Sequence, residues 1–111
     1  MASTVPINVA AVFIGTTETT IGTVPGGKEW NIAVIRFCNT DSVDHTLTIY
    51  NYDPGSETAT DLTSEYKTFT VQAGSTFEYG PAILASARKI SAKADLASKI
   101  NARIHGWETT P

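Results

Sequence analysis

Ala82–Trp107 reads AILASARKISAKADLASKINARIHGW, and the fold class turns on this stretch. Ile83, Ala87, Ile90, Ala94, Ala97 and Ile104 recur at helical spacing, with Pro81 near a start and Gly106 near a stop, as in an amphipathic helix. The same residues also alternate. Ile90, Ala92 and Ala94, then Ile100, Ala102 and Ile104, are each separated by a polar side chain, and Asp95-Leu96-Ala97-Ser98 lies between to turn the chain. Period-two alternation marks strands with one buried face. The two separate alternating runs favour a pair of strands, with a long helix as the competing reading.

Upstream, extended segments alternate with turn signals in a rhythm that predicts a sandwich or barrel of seven or eight strands. Ile7 to Ile14 is apolar on both faces, as for a strand covered on both sides. Thr17 to Val24 is a polar strand ending at Pro25-Gly26-Gly27. Trp30 to Cys38 reads as a central strand, with Ala33, Ile35 and Phe37 on one face and Ile32, Val34 and Arg36 on the other. Thr46 to Tyr52 alternates cleanly, Leu47 and Ile49 inward, Thr46, Thr48, Tyr50 and Tyr52 outward. A loop opening at Asp53-Pro54-Gly55-Ser56 and running to about Asp61, then strands Tyr66 to Val71 and Thr76 to Tyr79, complete the body.

Composition agrees with an all-β domain. A chain of 111 residues fits one core and leaves no room for a second. Val, Ile, Phe, Tyr and Thr suit pleated strands, and 41% hydrophobic with 17% charged residues is too apolar for a disordered chain. The single cysteine, Cys38, cannot form an internal disulfide, which fits a reducing cytosol. Met1-Ala2-Ser3-Thr4 carries no basic patch ahead of an apolar stretch, so no secretory signal is expected. No apolar run approaches the roughly 20 residues that cross a bilayer, so no membrane partner is expected.

The net charge of −3 argues against a general nucleic-acid binder, which needs cations to neutralise phosphates. The charge is unevenly spread. Residues 1–87 hold nine acidic and three basic side chains, or −6, and residues 88–111 hold five basic and two acidic, or +3. Lys99, Asn101, Arg103, His105 and Trp107 share one face of the last strand, and with Arg88, Lys89 and Lys93 nearby they form a basic strip beside an indole. Such a strip suits docking on an acidic surface of a neighbouring copy or another protein. Tyr50 and Tyr52, outward together, are a second candidate interface.

Catalytic and metal signatures fail on context. Gly22-Thr23-Val24-Pro25-Gly26-Gly27-Lys28 imitates a phosphate-binding loop, but Glu29 stands where Ser or Thr must bind magnesium, and a β-like run follows instead of a helix. Asp41-Ser42-Val43-Asp44-His45 holds the residue types of a hydrolytic centre within one turn, where such side chains cap local backbone. His45 and His105 stand far apart with no second cysteine, so no zinc set forms. Asp53, Glu57 and Asp61 lack the ligand spacing of a calcium loop. No catalytic residue, cofactor or metal is therefore expected.

The order of these pieces resembles a family of short tailed-phage virion proteins with a jelly-roll-like antiparallel β-sandwich, found as capsid decoration (cement) proteins and related head or tail accessory subunits. The residues carrying the resemblance are Thr23-Val24-Pro25-Gly26-Gly27-Lys28 leading to Arg36-Phe37-Cys38-Asn39-Thr40, then Thr70-Val71-Gln72-Ala73-Gly74-Ser75, Ile90-Ser91-Ala92 and Ile104-His105-Gly106-Trp107-Glu108. Ser86-Ala87-Arg88-Lys89 replaces the Gly-Asp turn common before the penultimate strand of such proteins. The resemblance implies a non-enzymatic, homo-oligomeric virion protein assembled in the host cytoplasm. Its partners would be the major capsid protein or another virion protein and copies of itself, with residues 1–6 as a possible N-terminal arm. A phage neck or tail accessory protein is the nearest alternative. A carbohydrate-binding module using Tyr50, Tyr52 or Trp107 as stacking platforms is the alternative from another class.

Overall fold

In the computed structural model, which describes residues 3–111, the chain forms ten strands. They are β1 (Ser3–Pro6), β2 (Val12–Phe13), β3 (Thr19–Thr23), β4 (Glu29–Asn39), β5 (His45–Tyr52), β6 (Ser64–Val71), β7 (Thr76–Tyr79), β8 (Ala82–Leu84), β9 (Lys89–Ala94) and β10 (Ile100–Thr110). A 3-10 turn, Asp61–Thr63, stands before β6. The alternating reading of the tail is the observed one. Ile90, Ala92, Ala94, Ile100, Ala102 and Ile104 are all buried, whereas Ile83, Ala87 and Ala97 of the helical stripe are exposed. A helix would have buried the wrong set.

The strands make two antiparallel sheets facing one core. The first runs β1-β10-β4-β7, with β2 also on β10 and β8 also on β4, and the second runs β3-β9-β5-β6. The pairs β1·β10, β3·β9, β4·β7 and β5·β6 are nested like rungs of one long antiparallel ribbon. Rolling that ribbon until β4 meets β10 and β5 meets β9 gives the jelly-roll arrangement. The ten segments therefore fill eight strand positions, with β1 and β2 sharing one and β7 and β8 another.

On β4 the expected faces need correction. Trp30, Ile32, Ile35, Phe37 and Asn39 are all buried, so the inward set changes parity between Ile32 and Ile35. The cause is a bulge. Val34 pairs with His105 and Ile32 with Gly106, leaving Ala33 without a partner. The extra residue returns Ile35 to the core side. Burying both isoleucines is worth about 1.5–3 kcal/mol each, more than the roughly 0.5–1.5 kcal/mol of one lost ladder hydrogen bond.

The expectation for Ile7 to Ile14 is also corrected. Ile7 to Ile14 is not one strand; β2 covers only Val12–Phe13, and Ala10, Ala11 and Phe13 are exposed. Pro6 has no N–H for the ladder and closes β1, while Ile7 N donates to Gly106 O at 2.9 Å and Ile14 N to Ile100 O at 2.8 Å, so the segment follows β10 loosely. Only Ile14 is fully buried, with Ile7, Val9 and Val12 packed against the core from the side. Residues 3–6 are an edge strand on β10. Met1 and Ala2 lie outside the described residues.

Gly106 is where the bulge is closed. A Cβ there would run into the Asn31 carbonyl oxygen and stand 2.9 Å from Ile32 Cα and 3.1 Å from Ala33 N, all backbone atoms that cannot swing aside. Gly106→Ala is expected to lower unfolding free energy by about 2 kcal/mol or more in urea titrations, the scale of an overpacked interior. Gly26→Ala, where a Cβ would meet nothing within 4 Å, serves as the control and is expected to stay within about 0.5 kcal/mol of the parent.

Candidate functional site

The outer face of the first sheet is built by β10 and its neighbours. Cross-strand partners share a face, so Asn101 stands between Phe13 and Cys38, Arg103 beside Arg36, His105 beside Val34, and Trp107 between Pro6 and Asn31. Ile83 continues the last row through its pairing with Asn31. Asn101, Arg103, His105 and Trp107 thus do line one face, as the alternation predicts. Trp107 is 52% exposed and Ile83 68%. Arg36 donates through Nε to Glu78 Oε2 at 2.9 Å, while Arg103, directly opposite Arg36, has no ion pair among the described residues.

The rest of the expected basic strip is dispersed. Arg88 turns toward Asn51, donating to its side-chain oxygen at 3.2 and 3.3 Å and to its carbonyl at 3.3 Å. Lys89 and Lys93 belong to β9, in the other sheet. Lys99 points its Nζ at Asp41 Oδ2, 4.0 Å away. Proximity in sequence suggested one patch; the crossover from β9 to β10 carries its two halves onto different layers.

Tyr50 and Tyr52 are corrected as well. They are only 6% and 3% exposed, so neither offers a platform. The Tyr52 hydroxyl donates to Glu18, which also accepts from Ser91 Oγ at 2.6 Å and pairs with Lys89 Nζ at 3.3 Å. Lys89 Nζ lies 5.6 Å from the centre of the Tyr52 ring. Burial pushes the Glu18 carboxyl up, but the hydrogen bonds from Ser91, Tyr52 and Lys89 and the Lys89 charge outweigh it and hold the group below the usual carboxylate range. Sequence reasoning missed this cluster. Its one signal was Ser91 on the polar side of β9, between two lysines.

A second polar cluster sits where β4 crosses to β5 and β9 crosses to β10. His45, 4% exposed, bonds Asp41 Oδ2 through Nε2 at 2.7 Å and Asp95 Oδ1 through Nδ1 at 3.0 Å. The hydrogen bond to Asp41, opposed by burial and assisted by Asp95, raises the imidazole above its ordinary value; His45 in turn lowers Asp41, with help from the Ser42 N–H and Lys99. Both ring nitrogens are engaged by carboxylates, so the ring has none free to take a proton from Ser42. The arrangement is a clamp on two turns; the local backbone cap is made by Asp41, whose Oδ1 accepts from Ser42 N at 2.8 Å.

Beside it lies an open cleft of about 300 Å³, lined by Thr16, Thr46, Thr48, Thr68, Lys93, Ala94 and Asp95. Thr68 has a φ of 51°, costly for a β-branched side chain, and its N–H donates to Thr48 Oγ1 at 3.1 Å. The cleft is lined by hydroxyls, one ammonium and one carboxylate, with no nucleophile and base brought together. Among the described residues, no group of three or more His, Cys, Asp or Glu is placed to hold a metal ion. The Gly22–Lys28 string is a turn: Gly27 has a φ of 76°, Lys28 N donates to Pro25 O at 3.1 Å, and β4 starts at Glu29. The acidic loop ties itself down, with Asp53 accepting from Gly55 N at 3.0 Å, Glu57 accepting from Asp53 N at 2.9 Å, and Asp61 pairing with Lys67 at 2.7 Å. Its tip carries Leu62, 98% exposed, which the sequence did not single out.

No protein-family model, curated protein or solved structure matches this chain.

The clamp has a pH signature. Because His45 is raised in the folded state, its contribution is full below its ordinary 6.5 and is lost as pH climbs through the raised value. Thermal midpoints are expected to fall over that window, and His45→Gln should be less stable at pH 6 but show a flatter dependence above it. An unchanged slope in the variant would remove the clamp from the account. Glu18 has the opposite sign: lowered in the folded state, it stabilises at neutral pH and ceases to do so as pH falls below 4.5. Glu18→Gln should cost about 1 kcal/mol at pH 7, after discounting for its partial exposure, with the deficit closing in acid.

Proposed function

We propose that this protein is a non-enzymatic structural subunit of a tailed-phage virion, a capsid decoration or cement protein that bridges and stabilises neighbouring capsid proteins. One observation supports the reading beyond the resemblance: the jelly roll carries a broad sheet face, that of β10 and β4, whose outward side chains Arg36, Arg103 and His105 stay exposed among the described residues. Trp107, Ile83 and Phe13 are exposed there around the Arg36–Arg103 pair. Aromatic and arginine side chains are those most enriched in protein interfaces. The outer side of the second sheet, in contrast, is partly closed by Glu18 and by the segment around the 3-10 turn, which packs on β5.

A cement subunit requires compactness, adhesive faces and many copies, and no reaction chemistry. The major capsid protein, or another virion protein, would take the open face, together with copies of this chain; nucleic acid and membrane are not among the proposed partners. The carbohydrate-binding alternative loses Tyr50 and Tyr52 to burial and keeps Trp107 alone.

Quantitative mass spectrometry of purified virions tests the proposal. A copy number that scales with the capsomers is expected. Only a few copies per particle would move the subunit to the neck or tail, and none would reject the virion role.

A further inference from the structure

We infer that the outer face of β10 and β4 docks the acidic loop 53–65 of a second copy of the same chain, head to tail. This inference stands on the surface alone and does not depend on the virion reading. The face holds an arginine directly opposite another, Arg103 against Arg36, an arrangement that costs stability in an isolated sheet. Glu78 neutralises Arg36 only, and Arg103 is left without an ion pair among the described residues. Large apolar side chains flank the pair along β10, Phe13 toward one end and Trp107 with Ile83 toward the other. An occupant that sets a carboxylate against Arg103 and apolar surface against the flanks fits this face, while Glu29 and Glu78 already stand at its margins.

Loop 53–65 supplies both. It holds Asp53, Glu57, Asp61 and Glu65 with no basic residue of its own, and Lys67 from β6 offsets only Asp61. At its tip Leu62 projects into solvent, 98% exposed, on a 3-10 turn fixed by reciprocal Thr60–Thr63 bonds, with Thr63 Oγ1 accepting from Thr60 N at 2.9 Å and Thr63 N donating to Thr60 O at 3.1 Å. A leucine held out by an ordered turn, next to Asp61 in an acidic segment, is a preformed knob. The turn packs on β5, in the second sheet, whereas the receiving face is the outside of the first. One molecule cannot join its own two surfaces, so the contact must pass between copies.

Other self-contacts are disfavoured. Stacking two such faces by a two-fold axis would bring four arginines together. Adding strand to strand is obstructed at each edge: β1 has four residues and ends in Pro6, β3 carries a bulge near Ile21, β6 is bent at Thr68, and β7 and β8 are separated by Gly80-Pro81. A heterologous contact remains, which propagates into rings or chains.

Sedimentation velocity on the full chain tests this. At about 0.01 M salt, where charges act over about 30 Å, the wild type is expected to grow past dimer with concentration, and at about 1 M salt to revert toward monomer. Arg103→Glu destroys the face and keeps the loop; Leu62→Ser with Glu65→Gln destroys the loop and keeps the face. Each alone should associate at least about tenfold more weakly, with unchanged circular dichroism. Mixed one to one, they retain one working contact and should form a heterodimer and nothing larger. A wild type that stays monomeric under all conditions, leaving the face to some other molecule, would overturn the inference. So would variants that associate like the parent, or a mixture that stays monomeric.

Discussion

The unpaired Ala33 decides which side chains of β4 enter the interior, and β4 is the strand that touches most of the molecule. It pairs with β10 on one side and with β7 and β8 on the other. Without the extra residue, Trp30 and Ile32 could not share the core with Ile35 and Phe37, because strict alternation would send one pair outward. Gly106 is what makes room for the irregularity, since its backbone lies against Asn31, Ile32 and Ala33. Further along the same half of the strand, Trp30 lies against Gly22 and donates from Nε1 to Glu108 Oε1 at 3.0 Å, joining three strands from both sheets.

Polar groups govern the end where the chain changes sheets. Asn39 is fully buried, yet its amide donates to Val43 O at 3.0 Å and Val71 O at 2.9 Å while its oxygen accepts from Asp41 N at 3.0 Å. It thereby ties the end of β4 to the end of β6 across the sandwich. His45 ties the neighbouring crossover through Asp41 and Asp95. A β-sandwich has to bring polar backbone over its apolar ends, and no buried side-chain nitrogen or oxygen among the described residues lacks a partner. These side chains fix register at the corners, where ladder hydrogen bonds are fewest.

Much of the fold was legible because alternation survives in the sequence wherever a strand is regular. The two runs ending at Ala94 and Ile104 identified β9 and β10 against a plausible helix, and Pro25-Gly26-Gly27 marked the turn into β4. The misreadings fall on irregularities that leave no period. Apolar residues on both sides of a bulge look like a strand covered on both faces, as at Ile32 to Ile35. Apolar residues in Ile7 to Ile14 look like a strand, although Pro6 interrupts the pairing and most of them only flank the core. At Tyr52 the outward direction gave no sign of what lies over it, because Glu18 comes from a remote part of the chain. The site was less legible for the same reason: Arg103 and Trp107 share a strand and could be grouped, whereas Arg88, Lys89 and Lys93 were separated from them by a change of sheet that composition does not record.

That change of sheet also explains why the two surfaces differ in kind. β9 gives its outer face to Lys89, Ser91 and Lys93, two of which are engaged by Glu18, so the second sheet satisfies its own polar groups. β10 gives its outer face to Arg103, His105 and Trp107, which stay exposed among the described residues, and it pairs one arginine with another. Keeping like charges adjacent and an indole half in water is unfavourable for a solitary domain. The cost is small beside a core that includes Ile32, Ile35, Phe37, Ile90 and Ile100, all fully enclosed. A scaffold with that reserve can carry one unsatisfied face without losing its fold, and it is at such a face that contact with another molecule has the most to gain.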